Sequence, residues 1–346
     1  MAIEIIGTGR AVPPRRVSND DLAERIDTSD EWIRSHTGIG NRFIADEDMA
    51  TSDLALEAAR NALAIAAGFS GDDRETRDRA AAEAAKSIDM IITGTVTPDY
   101  FCTPSTACII QHKLGAENAG AMDISAGCTG FVYGLETAAG LLGRGRKRAL
   151  VIGSDILTKV TDWSDRSTCV LFGDGAGAAV LEKTNAPCEG PQRRGLLRSL
   201  LYADGSGSES LIFRRGGTRN PFKAGETIEK GIYIDMNGQE VYNFAVKAVT
   251  DTAKALMQAD AICADDIAWI VPHQANARIV QAAGKRLKIP ADKFYLNIEE
   301  YANTSAASIP IALDELNREG KLRRGDLILT IGFGGGLTYG GNTIVW

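Results

Sequence analysis

The sequence predicts an α/β fold, because short apolar runs typical of strands alternate with longer amphipathic segments typical of helices. The runs are apolar at nearly every position, as expected of strands that are covered on both faces. Thr51–Ala67 is the clearest predicted helix, with one apolar face and a Thr-Ser-Asp start that suits a helix N-terminus. The predicted strands are Met90–Gly94, Ala149–Gly153, Ala176–Leu181, Ile267–Val271, Leu327–Ile331 and Asn342–Trp346.

The chain is predicted to contain two similar halves. Its 346 residues exceed what one compact core usually holds. RALVIGSD followed by FGDGAGAAVLEK has a loose counterpart in DLILTIGF followed by GGGLTYGGNTIVW, which suggests a duplicated unit. We expect halves at 1–190 and 191–346, with the boundary in Thr184–Gly195, where Pro, Gly and Arg cluster. The highly charged segment Gly71–Lys86 is predicted to be a solvated helical excursion.

Composition and charge exclude several classes of protein. The net charge of −7 argues against a nucleic-acid partner, which requires a basic surface. The sequence has no apolar run long enough for a membrane span, and MAIEIIGTG lacks the features of a signal peptide. We therefore predict a cytoplasmic protein that binds neither nucleic acid nor a membrane.

The cysteines show no spacing typical of a metal site or a redox pair. A chain of this length does not need disulfides for stability, and most free cysteines in proteins are buried. We therefore predict no metal site and mostly buried thiols. The six cysteines are Cys102, Cys108, Cys128, Cys169, Cys188 and Cys263.

Cys128 lies in AMDISAGCTGFVYGLETAAGLL, where a strand-like approach leads through small residues into a stretch that is apolar almost all round. Such a stretch predicts a buried central helix with Cys128 at its N-terminus. Unpaired N–H groups there carry partial positive charge and favour the nucleophilic thiolate. Taken alone, the segment favours a purely structural cysteine.

Each of the three histidines has its own context. His273 follows an apolar strand and precedes the helical segment QANARIVQAAGKRL, a junction where α/β folds place reacting groups. A structural histidine is the alternative. His112 is predicted on a helix surface, and His36 lies in a polar segment that could contact a ligand.

Asn303 and a glycine-rich turn complete the candidate site. Asn303 precedes a helical pattern in YANTSAASIPIALDEL, where it could cap the helix or donate a hydrogen bond beside His273. GFGGGLTYGG could form a simple turn or direct backbone N–H groups at an oxyanion. Together with Cys128, these residues predict an acyl-transfer site.

The chain resembles the β-ketoacyl-acyl-carrier-protein synthase III family, the initiating condensing enzymes of type II fatty-acid synthesis. The resemblance runs almost end to end through IGTGRAVP, DTSDEWIRSHTGI, DISAGCTGF, GSDIL, FGDGAGAAVL, ADGSG, VPHQAN, NTSAAS and GFGGG. It implies a thiolase-like fold, in which two α/β halves pack in α-β-α-β-α layers, and it implies a homodimer.

The resemblance also implies a mechanism. Cys128 would take an acyl group from acyl-CoA, and malonyl-acyl-carrier protein would then lose carbon dioxide and attack as an enolate. His273 and Asn303 would hydrogen-bond the malonyl thioester oxygen, and the N–H groups of Cys128 and Gly335 would form an oxyanion hole. No cofactor or metal is implied, since the CoA thioester is a substrate.

For CoA, the family pattern implies that Trp32 and Arg166 flank the adenine, as an indole face and a guanidinium plane can do. Thr28 would lie nearby, and Gly238 and Asn276 would line the pantetheine tunnel.

Two positions depart from the family pattern. His36 stands where the best-known members carry an arginine that helps to hold a CoA phosphate. Gln239 stands where asparagine is familiar. Both substitutions bear on CoA affinity and on the preferred donor.

An acidic carrier protein would need a local basic surface on this acidic chain. Arg278 and Lys285 are seven residues apart in a predicted helix and share a face, with Arg286 beside them. Such a patch would steer an acidic partner. The alternative is an ordinary solvated face.

Three other functions are compatible with parts of the pattern. The closest is a thiolase-fold acyltransferase or condensing enzyme of secondary metabolism that uses a different donor or acceptor. A CoA- or acyl-binding scaffold without turnover is the second. A nucleotide-binding oxidoreductase is disfavoured, because no helical pattern follows GDGAGA.

Overall fold

The computed structural model describes residues 1–228 and 231–346, in which strands and helices alternate along the chain. The strands are β1 Ile3–Ala11, β2 Arg15–Ser18, β3 Asn41–Ile44, β4 Met90–Gly94, β5 Gly120–Ile124, β6 Arg148–Ile156, β7 Asp174–Lys183, β8 Gly195–Ala203, β9 Leu211–Phe213, β10 Ile234–Met236, β11 Ile267–Pro272, β12 Leu327–Gly334 and β13 Thr338–Val345. The helices are α1 Asn19–Ala23, α2 Asp30–Thr37, α3 Thr51–Ala66, α4 Arg74–Ala85, α5 Thr106–Leu114, α6 Gly130–Leu142, α7 Gly238–Ala259, α8 Ala277–Leu287, α9 Ile298–Tyr301 and α10 Ser308–Arg318.

Two sheets form the centre of the fold. The first has the strand order β1-β7-β6-β4-β5, in which β4 runs parallel to β5 and β6 while the other pairs are antiparallel. The second has the order β11-β12-β13-β8, in which only β11 and β12 are a parallel pair. Each of the six predicted strands lies wholly or largely within a strand of these sheets, which confirms the α/β prediction.

Helices cover both faces of both sheets. α3 packs on the outer face of the first sheet, α6 and α10 lie between the sheets, and α7 and α8 cover the second sheet. Strand β6 shows why its sequence is apolar throughout. Leu150 and Ile152 belong to the core beneath α3, whereas Ala149 and Val151 belong to the core between the sheets. The layers therefore follow the predicted α-β-α-β-α order.

We propose that the two sheets are the cores of the two halves, 1–190 and 191–346. The connection 184–194 lies between β7 of the first sheet and β8 of the second.

The charged segment Gly71–Lys86 contains helix α4, whose N-terminus is capped by the Asp73 carboxylate. Most of its polar side chains are exposed, so the predicted helical excursion is confirmed.

Most cysteines are exposed, and the prediction of mostly buried thiols is wrong. Cys102, Cys188 and Cys263 lie in connections between elements, and Cys108 lies on an exposed position of α5. Cys169 is buried and Cys128 is intermediate. The general tendency of free cysteines to be buried does not hold here, because these cysteines lie in turns or on a helix surface.

Within the described part of the chain, the helices are too short or too polar to span a membrane.

The second half contacts β6 through backbone atoms at Gly153. A Cβ on Gly153 would lie 2.1 Å from the carbonyl oxygen of Ala306, in the 3₁₀ turn Ser305–Ala307. On the neighbouring strand, a Cβ on Gly177 would lie 2.6 Å from the backbone nitrogen of Ile311. Backbone atoms cannot yield as a flexible side chain does. Glycine is therefore required where this turn and α10 pack on the first sheet.

We expect Gly153→Ala to lower the free energy of unfolding by about 2–3 kcal/mol, because the added methyl overlaps the Ala306 carbonyl. Urea unfolding measures this loss. Gly140→Ala is the matched control, since Gly140 is exposed on α6 and a Cβ there meets nothing within 4 Å. The free energy of unfolding of the control is expected to rise by up to about 1 kcal/mol, because alanine favours a helix more than glycine does. Equal stability of the Gly153 variant and the natural protein would contradict the packing argument.

Candidate active site

Cys128 lies in the 3₁₀ turn Gly127–Thr129, directly before α6. Helix α6 is buried along most of its length, with Phe131 and Val132 fully inaccessible. The turn requires glycine at position 127, where φ is 55° and a Cβ would lie 2.6 Å from the carbonyl oxygen of Gly335. The structure thus places Cys128 at the start of a buried central helix, as its sequence context predicts.

The C-terminal end of β12 approaches Cys128 closely. A Cβ on Gly334 would lie 2.6 Å from the backbone nitrogen of Cys128 and 3.1 Å from its Sγ. The backbone N–H groups of Cys128 and Gly335 lie close enough to the sulfur to lower its pKa. The two N–H groups predicted to form an oxyanion hole therefore converge beside the sulfur.

Burial of the sulfur opposes the predicted thiolate. Burial raises the pKa of the Cys128 thiol from 9.0 to about 12, and the nearby Asp155 carboxylate raises the pKa further. The N–H groups that lower the pKa only partly offset this burial. The expectation of an ionised sulfur was wrong because desolvation of a buried anion outweighs the partial charges of one short turn. At physiological pH, burial therefore favours the neutral thiol of Cys128.

His273 lies between β11 and α8 and is 1% exposed. Its backbone N–H donates to the carbonyl of Ile331 at 2.8 Å, and its ring packs edge-on against Phe333 with centroids 5.0 Å apart. Ring atom Nδ1 lies 2.7 Å from Ser308 Oγ. Burial lowers the pKa of His273 from 6.5 to about 3, so the imidazole is neutral at physiological pH.

Asn303 binds the backbone two residues further along the chain through its Oδ1 and leaves its Nδ2 free; the N-cap of the 3₁₀ turn is Thr304. Its Oδ1 accepts a hydrogen bond from the backbone N–H of Ser305 at 2.9 Å. Its own backbone is held by Leu171 and Gly173 in the first half, at 3.0 and 3.1 Å. Because Oδ1 is fixed, the orientation of Nδ2 is fixed too. That Nδ2 donates to none of the described protein groups, so it is available to a substrate.

One cavity of about 250 Å³ brings the three predicted catalytic residues together. Cys128, His273 and Asn303 all line it. Several residues predicted to contact CoA or its carrier line the same cavity, which joins the two predicted functions in one site. These residues are Trp32, His36, Gly238, Asn276 and Arg278.

A second cavity, of about 260 Å³, lies on another side of Cys128. Its lining is mainly apolar and includes both strands of the β9–β10 ribbon. Cys128 borders both cavities, so a group attached to its sulfur would have an apolar space on one side and the imidazole and amide on the other. The apolar side chains of this second cavity are Val96, Leu157, Phe172, Leu211, Ile212, Phe213 and Ile234.

Trp32 and Arg166, the residues predicted to flank the adenine, form the adenine clamp, and in this structure they contact each other directly. The Arg166 guanidinium lies 4.7 Å from the centre of the Trp32 ring, so insertion of a base requires Arg166 to swing away. Arg166 is exposed, and its nearest ionic partner, Asp27, is 3.9 Å distant. This movement therefore costs little.

His36 is held beside the clamp rather than pointing freely into solvent. Its ring stacks on Trp32 with centroids 4.4 Å apart, and its Nδ1 lies 2.7 Å from the Trp32 carbonyl. The Asn276 amide donates to the His36 carbonyl at 3.0 Å. Thr28 and Gln239 do not border the cavity; Gln239 is exposed and donates to Asn243.

The sequence analysis missed Asp155, Ser305 and Ser308. Asp155 is fully buried, and its Oδ1 accepts hydrogen bonds from the backbone and side chains of residues 95–97. Ser305 is 1% exposed and lies close enough to Cys128 and Asp155 to lower the pKa of both, although its hydroxyl makes no well-formed hydrogen bond. The motifs GSDIL and NTSAAS contain these residues, but a motif does not show where a side chain points.

Family models match both parts of the chain that carry the site. Residues 122–205 match 3-oxoacyl-[acyl-carrier-protein (ACP)] synthase III, and residues 257–346 match its C-terminal model. The β-ketoacyl-[acyl-carrier-protein] synthase III of Caldanaerobacter subterraneus subsp. tengcongensis is 47% identical over 348 residues, covering 100% of this chain and 98% of that relative. The chain belongs to the β-ketoacyl-acyl-carrier-protein synthase III family.

Solved structures of synthase III enzymes share its fold. The enzyme from Aquifex aeolicus aligns with a TM-score of 0.85 at 39% identity, over 100% of both chains. The priming β-ketosynthase from the R1128 polyketide biosynthetic pathway aligns with a TM-score of 0.85 at 33% identity, over 99% of this chain and 96% of that one. Together with the observed layers, these alignments confirm the predicted thiolase-like fold, and the family is one of condensing acyltransferases that initiate fatty-acid synthesis.

Burial of neutral His273 predicts a pH dependence of stability. The folded-state pKa lies below the unfolded value, so His273 stabilises the fold above about pH 6.5, and this contribution is lost as the pH falls toward 3. When the pH falls from about 7.5 to about 5, the free energy of unfolding of the natural protein should decrease by about 2 kcal/mol more than that of His273→Gln. Urea unfolding at both pH values measures the difference. Titration of the buried carboxylates contributes equally to both proteins and therefore cancels in the comparison. Parallel losses in the two proteins would show that His273 takes up a proton in the folded state.

Proposed function

We propose that this protein condenses an acyl group from acyl-CoA with malonyl-acyl-carrier protein, producing a 3-ketoacyl-carrier protein, CoA and carbon dioxide. The observation that carries the proposal is the shared cavity, in which a buried thiol, a neutral imidazole and a free amide meet beside two backbone N–H groups. This chemistry requires no cofactor, because the CoA thioester is itself the activated substrate. In the described part of the chain, no group of three or more His, Cys, Asp or Glu residues could hold a metal ion.

Acyl transfer to Cys128 is the first proposed step. The sulfur attacks the thioester carbonyl, the bond to CoA sulfur breaks, and the thiol proton leaves with CoA. The N–H groups of Cys128 and Gly335 support this step because they can hydrogen-bond both the developing thiolate and the tetrahedral oxyanion. Since the resting sulfur is neutral, the anion is needed only while the substrate is bound.

Decarboxylative condensation is the second step. The bond between the malonyl carboxylate and its neighbouring carbon breaks, which releases carbon dioxide and forms the enolate. The enolate carbon then bonds to the acyl carbon on Cys128, the bond from that carbon to the Cys128 sulfur breaks, and the sulfur takes up a proton from solvent. Neutral His273 and the Nδ2 of Asn303 would donate hydrogen bonds to the enolate oxygen. Donors fixed before the reaction can stabilise this charge without reorganising, and each typically contributes about 3–4 kcal/mol of barrier lowering.

The apolar cavity beside Cys128 supports a hydrocarbon acyl group as the transferred unit. Side chains such as Leu211, Phe213 and Ile234 offer no charge to a polar group but can pack against an alkyl chain. A starter acyl group would therefore lie in this cavity while the malonyl unit occupies the side with His273 and Asn303.

We also propose that the protein works as a homodimer. Tyr100, Phe101 and Phe222 are 57%, 67% and 54% exposed, which is costly for large aromatic side chains. Phe101 and Phe222 both reach within 4 Å of the Cβ position on Gly216, so their side chains lie close together. An aromatic patch of this kind suits contact with a second copy of the chain.

Priming of a polyketide pathway is the second candidate, and the similarity to the R1128 priming β-ketosynthase favours it. The condensation would be the same, but the carrier protein would differ. Relative kcat/KM with carriers of the two kinds distinguishes the candidates.

Brief exposure to acyl-CoA should add one acyl group, located on Cys128 by peptide mass spectrometry. Asn303→Ala should retain this label but release carbon dioxide from malonyl-carrier protein about 100- to 1000-fold more slowly, because one enolate donor is lost. Cys128→Ser should remain unlabelled under the same conditions, whereas Cys263→Ser, a change at an exposed thiol, should behave like the natural protein. Label on another residue, or none, would refute the proposed function.

The basic face of α8 is proposed to dock the carrier protein. Arg278, Lys285 and Arg286 are exposed, and no described carboxylate lies within 4 Å of any of them. We expect Lys285→Glu with Arg286→Glu to raise KM for malonyl-carrier protein at least about tenfold at low salt, because electrostatic steering is lost. Acyl labelling from acyl-CoA serves as an internal reference that does not involve the carrier.

The matched control reverses Arg144 and Arg146, two exposed cations at the opposite end of α6 from Cys128. It changes the net charge equally and should leave KM for the carrier nearly unaltered. Equal effects of the two double variants would mean that overall charge, and not the α8 face, governs carrier binding.

A further inference from the structure

Ser308 is the first residue of α10 and contacts His273 across 35 positions of sequence. Its Oγ lies 2.7 Å from His273 Nδ1, and the residue is only 2% exposed. The backbone N–H of Ser308 is bonded to the carbonyl of Ser305, which holds the residue at the end of the 3₁₀ turn. The hydroxyl is therefore a fixed group in contact with the candidate catalytic imidazole.

The hydrogen bonds around Ser308 determine where its hydroxyl proton points. The backbone N–H of Gln274 donates to Oγ at 3.3 Å, so this oxygen already acts as an acceptor. The hydroxyl must also donate, since a buried polar group without a partner costs about 1–3 kcal/mol. Among residues 1–228 and 231–346, Nδ1 of His273 is the acceptor that its geometry offers. The Ser308 proton is thus directed at Nδ1.

A neutral imidazole carries one proton, on one of its two nitrogens. If Nδ1 accepts from Ser308, the proton must be on Nε2. Phe333 packs edge-on against the ring and restricts its rotation. Nε2 makes no hydrogen bond to the described protein groups, and His273 borders the cavity shared with Cys128 and Asn303. The opposite tautomer would present a lone pair to the site and repel a developing negative charge.

We propose that Ser308 is a positioning residue that holds His273 in the Nε2–H tautomer, so that the imidazole acts as a hydrogen-bond donor during condensation. The proposal rests on the proposed function, in which a donor at this place stabilises the enolate oxygen. It assigns His273 to the decarboxylation step and excludes it as the base that removes the Cys128 proton, because Nε2 has no free lone pair.

Nitrogen-15 NMR of histidine-labelled protein tests the tautomer directly. The chain has only three histidines, so His36→Gln and His112→Gln suffice to assign His273. The natural protein should show a protonated Nε2 and an unprotonated Nδ1. Ser308→Ala should show a substantial Nδ1–H population, and carbon dioxide release from malonyl-carrier protein should fall at least about tenfold, since a wrongly protonated imidazole cannot donate. Acyl labelling of Cys128 should fall much less.

Ser308→Thr keeps the hydroxyl and should restore both the tautomer and carbon dioxide release. Ser52→Ala is the matched control: Ser52 is a fully buried serine in the first turn of α3, and its hydroxyl accepts from Lys113. This control loses a comparable hydroxyl elsewhere and should change neither measurement.

An Nδ1–H tautomer in the natural protein, or an unchanged Nε2–H tautomer in Ser308→Ala, would overturn the proposal. These NMR outcomes do not depend on turnover. Absence of acyl labelling in the natural protein would instead reject the proposed function, so the two failures are distinguishable.

Discussion

The arrangement of the site depends on direct backbone contact between segments that lie far apart in the sequence. The 3₁₀ turn Ser305–Ala307 lies against Gly153 of β6, and Gly334, the last residue of β12, lies against Cys128. No side chain separates these backbones. Asn303 precedes the 3₁₀ turn and Ser308 follows it. Both residues are consequently held at fixed distances from Cys128, which lies far away in the sequence.

Exclusion of water by the same packing determines the charge of each group. Burial favours the neutral form of Cys128 and of His273, and burial also raises the pKa of Asp155. Burial therefore favours uncharged forms of the sulfur and of the imidazole. What remains are oriented dipoles, from backbone N–H groups and from the Asn303 amide, that are ready to respond when charge develops on a substrate.

The strands and the main catalytic candidates were predictable because their signals are local. Uniformly apolar runs identified both sheets, and Cys128, His273 and Asn303 each stood at a junction between elements. The thiol of Cys128 was mispredicted because a dipole and burial act in opposite directions, and only the structure shows how deeply the sulfur lies. Ser308 escaped detection because its role comes from contact with a residue 35 positions away.

The high pKa of Cys128 has a consequence for chemical damage. Oxidants and alkylating agents react with thiolates, and the four exposed cysteines are the thiols that solvent reaches first. A buried thiol that stays protonated between turnovers reacts only slowly with such reagents. Oxidation of this protein is therefore expected to begin at Cys102, Cys108, Cys188 and Cys263, before it reaches the thiol that faces the cavity.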